Sequence, residues 1–427
     1  MNKALIPSKH KVLPGFWKRI LVFFSIFGPA TITAMADNDA SGVATYAVAG
    51  AKLGYPILFL LLIVTILLGI TQEMGIRLTI VTRRGLADLI RERHGVTASV
   101  FMFLALFIAN MGILVVDAAA VEVMAEIFHI PPAPIVILVC AIAYFVIVKG
   151  NYKFTQYFML IACLFFLVYI VSVVKARPDW GMALGNLLYP HGVTVTSLYL
   201  RDYMIIGMGV LATTVTSWGQ FFISSFSFDK KIEKGKINYS QLETYWGAFL
   251  TDFFSFFMIV ATAATLYIHG VALESGEQAA QAIQPFAGNL AGELFGIGIL
   301  NAGFMGLVIV SLSTAYAFAE FFGVSGSLND SFKKSKTFYI IYLFQLILAC
   351  IIVLFPAVSL FKIIIATQVI SAFTLPPIFY YLIRFTSDKN LMGEFVNNAF
   401  QKYFAIICTV VIVIASVFTI ASLFLKS

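Results

Sequence analysis

Residues 28–54 read GPATITAMADNDASGVATYAVAGAKLG, an apolar helical stretch interrupted by Asp37, Asn38 and Asp39. The apolar run that feeds it begins near Ile20, so these side chains fall where the middle of a bilayer should lie. An aspartate at that depth costs about 2.5 to 3.5 kcal/mol on insertion scales. Two of them side by side with an asparagine require a compensating partner. The neighbours Ala36, Ala40, Ser41, Gly42 and Ala44 are small, which leaves room for an ion and lets the backbone unwind with its carbonyls turned toward a cavity. The stretch reads as a cation site in a broken membrane helix.

The whole chain agrees with that setting. It has 427 residues, 60% hydrophobic and only 11% charged, with mean hydropathy +0.94. Too little polar surface exists to cover so much apolar mass in water, so the chain is an all-α polytopic membrane protein. A net charge of +7 does not point to nucleic acid, because the basic residues sit in short runs between apolar segments. Cys140, Cys163, Cys350 and Cys408 lie inside apolar segments without metal-ligand spacing and read as small core residues. No cofactor is implied.

Eleven apolar runs read as spans, which need about 20 residues each, the fourth of them short. They cover roughly 17–47, with the break near Asp37, then 55–80, 96–127, 135–148, 154–174, 199–226, 245–269, 290–323, 338–355, 360–385 and 403–425. A basic loop, RRGLADLIRERHG, is expected between the second and third, and an acidic, Gln-rich loop, ALESGEQAAQAIQPFAGN, after the seventh. Lysine and arginine crowd alternate loops, as at Arg83, Arg84, Arg91 and Arg93, at Lys230 to Lys236 and at Lys333 to Lys336, whereas Lys52, Lys175, Arg177 and Arg201 stand on the other side. This bias puts the N-terminus in the cytoplasm and the C-terminus outside a cell membrane.

A second interruption, Thr213, Thr214, Thr216 and Ser217, falls inside the sixth run. Broken first and sixth spans at matching positions in two sets of five indicate an inverted-repeat, LeuT-like transporter whose site lies where the breaks meet. One transmembrane domain is expected over 1–427, with a first repeat at about 17–174, a second at about 199–385 and an extra helix at about 403–425. The Ser and Thr side chains could equally bond back to helix carbonyls. Their pairing with Asp37 and Asp39 is what favours a site.

At this point the residues resemble a family. GPATITAMADNDASGVATYAVAGAKLGY is similar, without a gap, to the first helix of the Nramp (natural resistance-associated macrophage protein) divalent-metal transporters, whose pattern is G-P-G, then D-P-G-N, then A-G and G-Y. The register puts Asp39 on the family's metal-binding aspartate and Gly42 on its asparagine ligand. LLGITQEMGIRLTIVTRRGLADLIRERHG resembles the second helix and basic loop, Asp117 matches a buried third-helix aspartate, and GVLATTVTSWGQ takes the place of G-x-x-G-A-x-x-M-P-H. The resemblance therefore implies a metal site of Asp39, Asp37, Asn38, Gly42, Thr213 and Thr216, with a divalent cation and the lipid bilayer as partners, no nucleic acid, and a monomer.

The departures from the pattern carry the mechanism. Thr213 replaces an alanine that ligates through its carbonyl, Thr216 a methionine ligand and Trp218 a histidine. Thioether sulfur favours softer transition metals, whereas carboxylate, hydroxyl, carbonyl and water suit magnesium, calcium and manganese. Magnesium keeps most of its waters, and Gly42, Ser41 and Ala40 are expected to leave room for them. The pattern resembles the Nramp-related magnesium transporters. The family's proton route is thinned, because Trp218, Asn110 and Ala120 stand where it has titratable groups, while Asp117 and Glu122 remain. Asp252 in the seventh span serves an ion pathway or pairs with a neighbour, and Glu73 and Glu320 are expected to be solvated near span ends. Two other readings compete. A proton-coupled manganese or iron importer needs the relay intact, and an amino-acid transporter needs helix N-termini rather than paired aspartates at the break. An intramembrane enzyme is disfavoured, since all five histidines fall near span ends or loops.

Overall fold

Where the first apolar run meets Asp37, the helix stops and restarts. The computed structural model describes residues 28–271, 273, 291–355 and 360–424. The start of the first span and nearly all of the Gln-rich loop lie outside these residues. The first span is two short helices, α1 (Pro29–Ala36) and α2 (Ala40–Leu53), joined by Asp37, Asn38 and Asp39. Proline in the first turn of α1 has no amide to waste there.

After a 3₁₀ turn at Tyr55–Ile57 come α3 (Leu58–Thr82), α4 (Leu86–Ile127) and α5 (Pro132–Lys149). The basic stretch after Arg84 is helical, not a loop. Leu86, Ala87, Leu89 and Ile90 bury one face of it, and Gly95, at φ 79°, turns the chain into the membrane helix. The fifth span is α6 (Tyr152–Cys163) and α7 (Leu167–Ala176), separated by a 3₁₀ turn, and the long connection that follows folds a further helix, α8 (Trp180–Leu188). The sixth span breaks between α9 (Ser197–Thr214) and α10 (Ser217–Lys230). Then follow α11 (Ile237–Thr262), α12 (Ala291–Phe322), α13 (Lys336–Val353), α14 (Leu360–Thr386), the short α15 (Lys389–Met392) and α16 (Ala399–Phe424).

Among the described residues, nine helices are long and apolar enough to cross a membrane. The first span, broken at its acids, and the fifth, interrupted by its 3₁₀ turn, account for the other two of eleven. Outward-facing Ile66, Phe101, Phe145 and Ile407 are exposed, as lipid-facing side chains are. The broken helices are instead enclosed: α1 and α2 pack on α11, α2 on α9 and α12, and α9 on α14. Close approach depends on small residues, the means by which membrane helices gain contact without a hydrophobic driving force. A Cβ at Gly306 would collide with the carboxyl of Asp117, and one at Gly247 would press on the backbone of Thr31.

Candidate metal centre

The two breaks are built from opposite ends of helices. Asp39 caps α2: its Oδ1 accepts from the Gly42 amide at 2.8 Å and from Ser41 Oγ at 2.7 Å. Asp117, reaching across from α4, accepts from the Ala40 amide at 3.2 Å, so two carboxylates meet the positive end of one half-helix. In the other break Thr216 caps α10 by accepting from the Gly219 amide at 3.1 Å, and it donates its own proton to Asp37 Oδ1 at 2.8 Å. A single hydroxyl thereby ties the first break to the second. The C-terminal ends of α1 and α9 bring the negative ends of their dipoles to the same place, where the Ala34, Met35 and Ala36 carbonyls accept from the Asp37, Asn38 and Asp39 amides.

Acceptors outnumber donors here. Asp37, Asp39 and Asp117 are all fully buried, and Asp37 Oδ2 and Asp117 Oδ2 meet no hydrogen-bond donor. An uncompensated buried acceptor costs about 1 to 3 kcal/mol, more when charged, and a cation is the direct remedy. Among the described residues no group of three or more His, Cys, Asp or Glu side chains could hold a metal ion. The donors around the break are carboxylate, hydroxyl and carbonyl oxygens.

Residues 30–422 match the family described as natural resistance-associated macrophage protein-like. The chain belongs to the Nramp family. It is 25% identical to the divalent metal cation transporter MntH of a Nostoc species, over 96% of this chain and 94% of that one. It is 24% identical to the MntH protein of Listeria welshimeri, over 98% and 92%. Its fold matches a variant of the Eremococcus coleocola manganese transporter with TM-score 0.76 and 19% identity, covering 98% of this chain and 89% of that one. A Na+-coupled sialic acid symporter in a substrate-bound outward-open state shares the architecture more distantly, with TM-score 0.59 and 13% identity over 92% and 88%.

Within this Nramp fold the anticipated residues divide. Asp37, Asp39, Thr213 and Thr216 converge between the breaks. Asn38 turns away to α11: its Nδ2 donates to Thr251 Oγ1 at 2.8 Å and to the Thr251 carbonyl at 3.1 Å, and its Oδ1 accepts from Ser255 Oγ at 2.9 Å. Its amide pins the unwound segment to α11. Gly42 is at the break, but its missing side chain does not leave open space, because a Cβ there would strike the Asp37 carbonyl. The glycine lets one half-helix approach the other. Glu122 lies further along α4 than Asp117, half-buried beside Glu126 and apart from the breaks. Asp252 is buried on α11, separated from the break by Asn38 and Ser255.

Trp218 and Asn110 are also placed. The indole is fully buried in the first turn of α10 with Nε1 unpartnered, and Asn110 donates to Thr314 Oγ1 at 2.7 Å between α4 and α12. Glu73 is not solvated but buried in an ion pair with Arg77 at 2.6 Å, since the second span continues past it and other helices cover its end. Glu320 accepts from Ser225 Oγ at 2.6 Å. Sequence reasoning missed Gln368 on α14. Its Nε2 donates to Ser41 Oγ at 2.8 Å and reaches Thr213 Oγ1 at 3.4 Å, leaving Oε1 buried without a donor beside the break. A glutamine flanked by Thr367 and Ser371 inside a membrane span was the available signal.

Proposed function

We propose that this Nramp-family protein carries divalent metal cations across the membrane by alternating access, at a site formed by Asp37, Asp39, Thr213, Thr216 and the carbonyls of the two helix breaks. The observation that carries the reading is the buried surplus of oxygen acceptors where the breaks meet, with no nitrogen or sulfur ligand among these groups. Oxygen-only sites suit hard ions, so magnesium and manganese are the substrates, and the hydroxyl of Thr216 disfavours cadmium. The relatives named divalent metal cation transporter and manganese transporter support the substrate class. The protein acts as one transmembrane domain and as a monomer, with its N-terminus in the cytoplasm and its C-terminus outside.

Metal movement follows the ion gradient and the membrane potential, and is not tightly coupled to protons. Trp218, Asn110 and Ala120 cannot relay one, which leaves Asp117 alone on the route. One observation favours the second reading, proton-coupled manganese or iron import: Asp117 bonds the first amide of the half-helix that Asp39 caps, so a proton on it would be felt at the site. Titrating the purified protein with magnesium, manganese and cadmium separates the ion classes. A cadmium affinity far above that for magnesium and manganese overturns the hard-site reading.

A further inference from the structure

The start of α4 and the end of α14 meet in a charged corner apart from the helix breaks. A cavity of about 320 Å³ opens there, lined by Arg93, His94, Arg384, Phe385 and Asp388. One water molecule takes roughly 30 Å³, so the cavity has ample room for a phosphate group. Its charges do not cancel. Arg93 is matched by Asp388, whose Oδ2 accepts from Arg93 Nη1 at 2.8 Å while its Oδ1 caps α15 through the Asn390 amide at 2.9 Å. Arg384 has no carboxylate partner among the described residues: its Nη1 donates to the Tyr380 hydroxyl at 2.5 Å, and the guanidinium lies 5.7 Å from the centre of the same ring. His94 adds a second unmet group, since its Nδ1 is buried without a partner. The imidazole is held in place by Tyr381, edge-on at 4.8 Å, and by Phe385 at 5.7 Å. A guanidinium with spare N–H groups beside an unpartnered imidazole nitrogen makes a recess short of an anion.

The depth of the recess selects the anion. Past Gly95, α4 exposes Val96 and Phe101, and one turn before Arg384, α14 exposes Tyr380. Both helices therefore pass from lipid-facing apolar side chains to charges at this level, where phospholipid headgroups lie and exposed tyrosines gather. We propose that Arg384 and His94, with Arg93 at the rim, bind the phosphate of an anionic phospholipid whose acyl chains lie against the exposed apolar surface of α4 and α14. Arginine takes a phosphate through two parallel N–H bonds, and basic pockets between membrane helices hold such headgroups. A zwitterionic lipid fits less well, because its ammonium group brings another cation to a recess that already holds an unmatched one. The bound phosphate bridges α4 to α14 and so fastens together the helices that carry Asp117 and Gln368.

Lipid binding to the purified full-length protein, counted by native mass spectrometry and followed by melting temperature with added phosphatidylglycerol, phosphatidylcholine or inorganic phosphate, tests this. The wild type is expected to hold phosphatidylglycerol and melt higher with it, and to respond to neither of the others. Arg384→Gln leaves the ion pair of Arg93 and Asp388 intact and should weaken phosphatidylglycerol binding about tenfold, as the loss of a charged hydrogen-bond partner implies. His94→Phe keeps the aromatic contacts and should weaken binding by less; it serves if Arg384→Gln does not fold. Lys149→Gln, which removes an exposed cation at the end of α5, should bind as the wild type does. Equal binding by the wild type and the pocket variants, or an equal loss in Lys149→Gln, overturns the site. Stabilisation by inorganic phosphate that matches phosphatidylglycerol and vanishes in Arg384→Gln makes this a soluble-anion site and overturns the lipid.

Discussion

Glu73 and Asp37 are both carboxylates with almost no exposure to solvent, yet one is fully partnered and the other is not. Glu73 Oε1 accepts from Arg77 Nε at 2.6 Å and Gln241 Nε2 at 2.7 Å, and Oε2 from Arg77 Nη2 and Gln401 Nε2, each at 2.9 Å. Arg77 in turn bonds Asn397 Oδ1 at 2.8 Å and the Phe395 carbonyl, so the group fastens α3 to α11, α16 and the turn before α16. Asp37 has a single partner, Thr216, and a bare Oδ2. A charge with every lone pair satisfied is part of the scaffold. One left short of donors in a membrane interior is the group on which the proposed metal site rests.

Substitutions at the two places should therefore fail differently. The largest effect is expected at the break. Asp39→Ala should reduce manganese uptake to background, beyond the roughly 10- to 100-fold that even outer partners of a metal ligand cost, while the protein remains folded and loses only about 1 kcal/mol of stability with the cap on α2. Near-normal uptake by that variant would erase the distinction. At the scaffold, Glu73→Gln should instead lower stability by about 3 to 5 kcal/mol by stranding the buried Arg77, seen as a lower melting temperature and less folded protein. Adding Arg77→Met should recover part of the loss, because an unpaired charge is worse than none.

A smaller effect is expected at Thr216. Thr216→Met should raise cadmium affinity relative to magnesium by about tenfold, equivalent to about 1.4 kcal/mol. It should also cost about 1 kcal/mol of stability through the lost cap on α10. Thr216→Ser, which keeps the cap and the bond to Asp37, is the control and should do neither. The least change is expected at Asp117. In proteoliposomes loaded with a pH-sensitive dye, metal entry should proceed without stoichiometric acidification in the wild type and in Asp117→Asn alike. Acidification that tracks metal entry and disappears in Asp117→Asn would establish proton coupling.

The sequence alone determined that this chain spans a membrane, that its first and sixth spans break, and that Asp37 and Asp39 interrupt the first. Those features follow from composition and from the cost of local exceptions to it, such as an acid or a threonine run inside an apolar span, and need no knowledge of what lies opposite. It did not determine which neighbours of the acids face inward. Asn38 points to α11, Gly42 yields its space to the Asp37 carbonyl, and Gln368 enters from α14, over 300 residues away. Glu73, near a span end, looked solvated until α11 and α16 closed over it. Only the tertiary structure decided these points, because a buried polar side chain takes its role from the donors and acceptors that meet it, and those arrive from distant parts of the chain.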